Sequence, residues 1–542
     1  MKTKFILFLT LLLIFIVYLS FPLNTHTWES YYYSGCLDHF IDAEDMQPVK
    51  TLKIPYSKFL CIHYTQHPAL YYTAYFLCHT FFSLKDGLII VSYLNICLAL
   101  LSYIVCYFLC FNITRSPILS CIMILFLSFS DIHWYQSLSG EVYVGPFLFI
   151  VIAAYYLFIP YVQSKSIEEY HTNTIYASVF LGLAIIFHMF ACLFYFVFLY
   201  YLYEIKKQNP KFKVFRQLFI CSGIIFLFYI FAYVLPYIVI VKINSFQSLL
   251  QVIFLHTNNW GIWHVPLKYV PFEIAYSFVV GTKHFLHAII SGIGLFESLL
   301  RFLIFACCMG ALYFFFVNRQ KNIIQKILLV WFSIYYLAII VNVPMVNDYW
   351  IFNLFPLMLF LINELQQHLN NKLLISIFTI LSIVVFYVNF NNDIYIKSKT
   401  TSSEFFVLSK VKPVLKEYKH IVMMGRNLVL SEIFYLHQSN QTKTKFYYHR
   451  SDTMYPSKGS FLTAFKKRCD KIPGKYFLFI IDGQGKDKVR ISHYLEELNM
   501  KEKLIFHVEK KYNPQMYKTA IGIIEKPFAI HLYGMVVTKS IK

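Results

Sequence analysis

Charge is what this sequence has least of. Asp, Glu, Lys and Arg make up 14% of the 542 residues, against 58% hydrophobic and 20% aromatic, and the mean hydropathy is +0.55. So few charges cannot wet the surface of a soluble globule, so that class is excluded. A disulfide or zinc scaffold is excluded next. There are twelve cysteines but no Cys-x-x-Cys pair and no Cys/His spacing suited to tetrahedral zinc. Eight of them, among them Cys97, Cys106, Cys110 and Cys221, lie inside apolar runs, where Cys acts as a small hydrophobe. No groove-reading motif accompanies the net charge of +20, so nucleic acid is not an expected partner. No small-x-small cleavage site follows the first apolar run, Phe5 to Leu23, so it reads as an uncleaved helix behind Lys2 and Lys4. Internal repeats and low-complexity tracts are absent as well.

What remains is a succession of apolar runs of roughly 18–25 residues, each long enough to cross a hydrocarbon core of about 30 Å. The fold class is an α-helical polytopic membrane protein. Lys and Arg at the loop boundaries set its expected topology, with KKQNPKFKVFR (206–216) the strongest cytoplasmic marker. About eleven spans result, with the N-terminus inside and the tail outside. The chain is expected to divide into a transmembrane domain, residues 1–393, whose first external loop is 24–86, and a small C-terminal extracytoplasmic α/β domain, residues 394–542. In that tail HIVMMG and YFLFIID read as buried strands, and LVLSEIFYLHQ and ISHYLEELNM as amphipathic helices. The tail carries 27 Lys and Arg against 12 Asp and Glu from Ile394 onward, a surplus of 15 that fits either contact with membrane lipid headgroups or phosphates or a merely soluble basic domain. It shows no phosphate loop or nucleophile motif. Pro68–Leu84 is short and reads as a juxtamembrane or re-entrant helix.

The scarce charges are concentrated. Glu29, Asp38, Asp42, Glu44 and Asp45 fall within seventeen positions of the first loop, which ends in His67. A second polar loop, SDIHWYQSLSGEVY (130–143), carries Asp131, His133 and Glu141, and a later one, PMVNDYW, carries Asn347, Asp348 and Tyr349. The long external stretch from Lys242 to about Glu297 adds Trp260, Trp263 and His264. A carboxylate at the hydrocarbon boundary is costly unless it is solvated, paired or metal-bound. Several on one face point to a general base, a cation site, or both.

TWESYYYSG just after the first helix, QHPALYY at the loop's end, and an acidic loop after the third span together resemble the GT-C superfamily of membrane glycosyltransferases. The nearest branches are the protein O-mannosyltransferases and the lipid A aminoarabinose transferase. His67-Pro68-Ala69-Leu70-Tyr71-Tyr72 is similar to that superfamily's His/Lys-Pro-Pro-Leu-Tyr-Tyr element, with Ala69 in place of the second proline. HWYQSLSGEVY and PMVNDYWIFNLFPLML resemble its later elements. The first-loop acid of that pattern is commonly Asp, whereas Trp28-Glu29 stands here. Either Glu29 takes the role of base or Asp38 does.

The resemblance implies transfer of a sugar from a polyprenyl-phosphate donor to an acceptor on the outer face, with inversion at the anomeric carbon. Glu29, Asp38 and Glu141 are the candidate catalytic residues. His67, Tyr71, His133, His264, Asp348 and Tyr349 are the candidate substrate contacts. Glu29 and Glu141 could hold a divalent cation, which is optional in this reading. The acceptor is a glycan, a lipid or a protein, and the expected location is a bacterial inner membrane. A transporter or flippase of lipid-linked saccharides is the rival; it would place polar residues on broken helices near mid-bilayer. A cysteine introduced at Ser451, in a background lacking other accessible cysteines, is expected to react with an impermeant maleimide from the outer face. Protection of that cysteine in sealed vesicles would reverse the tail.

Overall fold

The computed structural model describes residues 2–23, 87–163, 166–235, 270–292, 294–317, 322–342 and 348–399. It also describes a few positions between 69 and 77 and the C-terminal elements named below. Its helices are α1 (Lys2–Ser20), α2 (Gly87–Thr114), α3 (Pro117–Phe129) and α4 (Asp131–Leu138). There follow α5 (Val144–Val162), α6 (Ile167–Phe187), α7 (Phe194–Gln208) and α8 (Val214–Tyr229). Beyond residue 269 come α9 (Val270–Ile289), α10 (Leu295–Val317) and α11 (Ile323–Asn342). The series closes with α12 (Ile351–Leu365) and α13 (Asn371–Asn389). A π turn at Phe390–Ile394 carries α13 on into the short α14 (Tyr395–Lys399).

Among the described residues nine helices are long and apolar enough to cross a membrane, or ten if the bent α3–α4 pair is one span. The chain is a multi-pass integral membrane protein. Local chemistry sets the helix boundaries. Ser116 caps α3 ahead of Pro117 at the first position, where the missing N–H costs nothing. Ser166 and Glu169 form a reciprocal capping box at α6, and Asn370 caps α13. On peripheral α10, Leu299, Phe302 and Leu303 are exposed while Ile304, Ala311 and Phe315 face the bundle. In a membrane protein that exposed apolar surface is where lipid belongs.

α12 is the central helix. At fifteen residues it is about 22 Å long, short of a full crossing, and thirteen of its residues are buried. It packs against α11, α10 and α2. α3 is shorter still, thirteen residues or about 20 Å. At Ser130 the chain turns by 67° into α4. The second polar segment is therefore not a solvated loop, as its composition led us to expect. It is a buried helix: Asp131, His133, Trp134, Gln136, Ser139 and Glu141 are all shielded from solvent.

A helix that breaks inside an apolar bundle strands its last carbonyls, and each one here is answered. Ser130 donates its N–H to the Phe126 carbonyl at 3.0 Å and its hydroxyl to that of Leu127 at 2.7 Å. Tyr18 Oη of α1 donates to the Ser128 carbonyl at 2.8 Å. Asn389 Nδ2 of α13 donates to the Phe129 carbonyl at 2.9 Å. The Ser130 carbonyl accepts from the Trp134 N–H at 3.0 Å, opening α4. At the far end of α4, Asn95 Nδ2 of α2 donates to the carbonyls of Ser139 at 2.8 Å and Glu141 at 2.6 Å.

The long stretch read as external contains α9, a twenty-residue helix bearing Glu273 and Lys283 that packs on α11, α4 and α10. At the opposite helix ends, Glu204, Lys326, Gln325 and Glu364 tie α7, α11 and α12 together. The Lys326–Glu204 pair spans 3.7 Å, and Gln325 donates to Glu364 at 2.5 Å.

The C-terminal strands are β1 (His420–Gly425), β2 (Lys445–Arg450), β3 (Lys475–Asp482) and β4 (Met500–Tyr512). The two-residue β5 (Lys518–Thr519) and β6 (Gly522–Ile523) precede β7 (Phe528–Lys539). They form a sheet of order β2-β1-β3-β7-β4, parallel on the β2-β1-β3 side and antiparallel across β7, with β5 and β6 a separate pair. α15 (Asp487–Glu497) follows β3. The two strands read from sequence appear where expected, as β1 and β3, and α15 overlaps the amphipathic segment ISHYLEELNM. LVLSEIFYLHQ lies outside the described residues. β2, β4 and β7 were not read from the sequence; β2 and β4 are the edges of the sheet, and both carry charged residues, the composition that blunts an open sheet edge.

Asn389 uses both donors and both lone pairs. It also donates to the Ile289 carbonyl at 2.8 Å and accepts from the Ser291 N–H at 2.7 Å and the Ser291 hydroxyl at 3.0 Å. Asn389→Leu is expected to lower stability by about 1–3 kcal/mol, read as a fall in the thermal midpoint in detergent. An unchanged midpoint would mean that the break at Ser130 does not need this tie.

Candidate functional site

The buried polar side chains gather where α4 meets the start of α12 and the end of α13. Gln136 on α4 donates Nε2 to Asp348 Oδ1 at 2.6 Å, joining two segments 212 residues apart. Asp348 opens the single 3-10 turn (Asp348–Trp350) that leads into α12. Trp350 at its end is fully buried and packs on Phe285 and Tyr336, so α9 and α11 fix the turn. Lys397 of α14 lies 2.9 Å from Asp393 Oδ2 and 3.9 Å above the Tyr135 ring. Among the described residues it is the only lysine or arginine in the fully buried class.

Burial pushes the Asp348 carboxyl up to about 7, against the downward pull of Lys397 and the hydrogen bond from Gln136. A buried carboxyl raised toward neutrality is a candidate functional group. Its chain neighbour Tyr349 enters an aromatic group. Tyr349 meets Tyr143 edge-on at 5.3 Å, and its ring lies 5.8 Å from His188 and 4.6 Å from Phe190.

Of the residues singled out from sequence, Asp348 and Tyr349 lie in this group. His133, one turn before Gln136 on α4, is buried between Phe147 at 4.9 Å and Tyr103 at 6.3 Å. Glu141 is buried just beyond α4, its carbonyl gripped by Asn95. Glu29, Asp38, His67, Tyr71 and His264 lie outside the described residues. Sequence reasoning passed over Gln136, Lys397 and Asp393. Gln136 looked like one more polar loop residue, and Lys397 blended into the basic tail. Only a helical reading of DIHWYQSL would have put His133 and Gln136 on neighbouring turns. No group of three or more His, Cys, Asp and Glu side chains suited to a metal occurs among the described residues.

These features define a class: a polytopic membrane protein with a broken helix pair, a buried polar site at one end of its bundle and a small mixed sheet after its last span. The particular fold is similar to that of a solved membrane protein. ArnT from Cupriavidus metallidurans, solved with undecaprenyl phosphate bound, matches with a TM-score of 0.55 at 10% identity, covering 97% of this chain and 97% of its own. The apo oligosaccharyltransferase of Archaeoglobus fulgidus aligns with a TM-score of 0.48 at 11% identity, over 89% of this chain and 69% of its own. No family model matches the sequence, and no curated protein does.

A carboxyl raised by burial binds its proton more tightly folded than unfolded, so its contribution to stability falls as pH rises through that interval. Between about pH 4 and about 7 the thermal midpoint of the wild type is therefore expected to drop relative to Asp348→Asn. Parallel curves would place Asp348 in water rather than in the bundle.

Proposed function

We propose that the protein is an integral membrane glycosyltransferase that moves a sugar from a polyprenyl-phosphate donor to an acceptor on the extracytoplasmic face. The observation that carries this reading is the likeness in fold, over 97% of the chain, to a structure that holds undecaprenyl phosphate. The lipid-facing surfaces, such as that of α10, are apolar, and a group of buried polar side chains lies where α4 meets the start of α12.

The chemistry follows from the bonds. A base takes the proton of an acceptor nucleophile, a hydroxyl in the simplest case, and the acceptor atom attacks the anomeric carbon. The bond from that carbon to the phosphate oxygen breaks, and the electron pair leaves with the polyprenyl phosphate. In-line attack inverts the centre. Glu29 is the proposed base, as the family resemblance implies, with Asp38 the alternative. Glu141 orients the acceptor or an optional divalent cation. His67 and His264 meet the departing phosphate, which charge-assisted hydrogen bonds would stabilise. Tyr71, His133, Asp348 and Tyr349 contact substrate. The C-terminal sheet belongs in this reading to a separate extracytoplasmic domain, residues 394–542, and the membrane is a bacterial inner membrane.

One observation favours the transporter instead. The 67° bend between α3 and α4 puts Asp131, His133 and Gln136 on a broken helix, as lipid-saccharide carriers would require. A single experiment separates the two. Membranes containing native acceptors, with wild type or Glu29→Gln, are given a panel of radiolabelled polyprenyl-phosphate sugars. Label reaching an acceptor with wild type and falling at least a hundredfold in Glu29→Gln is the expected result. Transfer by both moves the base to Asp38 or Glu141. Flipping of the lipid without transfer gives the protein to the transporters.

A further inference from the structure

We propose that the Gln136–Asp348 pair is a subsite for a sugar hydroxyl. The identity of the ligand rests on the transferase reading above.

Gln136 has spent its amide nitrogen on Asp348 Oδ1, and its own Oε1 is buried with no hydrogen-bond partner. The Gln136 bond is also the only hydrogen bond that Asp348 receives among the described residues. His133 Nε2, one turn back on α4, is likewise buried and unpartnered. A buried polar atom without a partner costs about 1–3 kcal/mol, and several on one helix next to a carboxylate mark a place where a polar group belongs. The open positions on Gln136 and Asp348 both accept, so the missing group must donate. An anion such as phosphate is repelled by acceptors. A metal cation is opposed by Lys397, which already supplies the local positive charge. A neutral hydroxyl meets both conditions.

The test uses the full chain in lipid nanodiscs, with undecaprenyl phosphate and undecaprenyl-phosphoryl hexoses as probes. Asp348→Asn should weaken binding of a hexosyl lipid about tenfold or more and leave binding of plain undecaprenyl phosphate unchanged. Equal losses for both lipids in Asp348→Asn, or none, would overturn the subsite. Binding of neither lipid by wild type would instead overturn the transferase reading.

Discussion

A helix cannot end inside a membrane protein unless something takes its last carbonyls, and that constraint organises this molecule. α3 stops after thirteen residues, and the carbonyls from Phe126 to Ser130 each receive a donor. The donors come from α1, α13, the break itself and the first turn of α4. Water is scarce at such a depth, so an unanswered carbonyl would cost several kcal/mol. The break therefore fixes where α1 and α13 must pass, and Asn389 extends the constraint to the end of α9 through Ile289 and Ser291.

The polar site is a consequence of that break. Turning the chain by 67° brings α4 against the start of α12 and the extension of α13, so that Gln136 meets Asp348 and Tyr135 lies under Lys397. Asp393, Asp348 and Lys397 are nearly withdrawn from solvent. Two carboxylates and one cation cannot all be charged there without net charge in a low dielectric. The carboxyl that rises to meet this cost is Asp348, while Asp393 keeps the direct ion pair.

Much of the architecture was legible beforehand. α5 and the final residue of α10 fall where the apolar runs place them, because a span needs an unbroken apolar stretch and its flanks carry the polar residues. β1 and β3 were visible for the same reason, as short apolar runs between turn residues. The charged edge strands β2 and β4 were not, because their identity comes from a neighbour rather than from a pattern of their own. The ordered set of WES, HPALYY and EVY segments pointed to the GT-C fold through spacing along the chain.

The segment around Asp131–Glu141 marks the boundary between the two kinds of information. Its composition is that of a wet loop, and local sequence gives no reason to bury it. Burial is decided by Trp134, which fills the space between Tyr18, Phe129 and Phe386, and by Asn95, which takes the carbonyls at its far end. Sequence alone determined that this chain crosses a membrane many times, because hydropathy over twenty residues is a local sum. Only the tertiary structure decided that Gln136, Asp348 and Lys397 share one site, because that depends on where three distant helix ends meet.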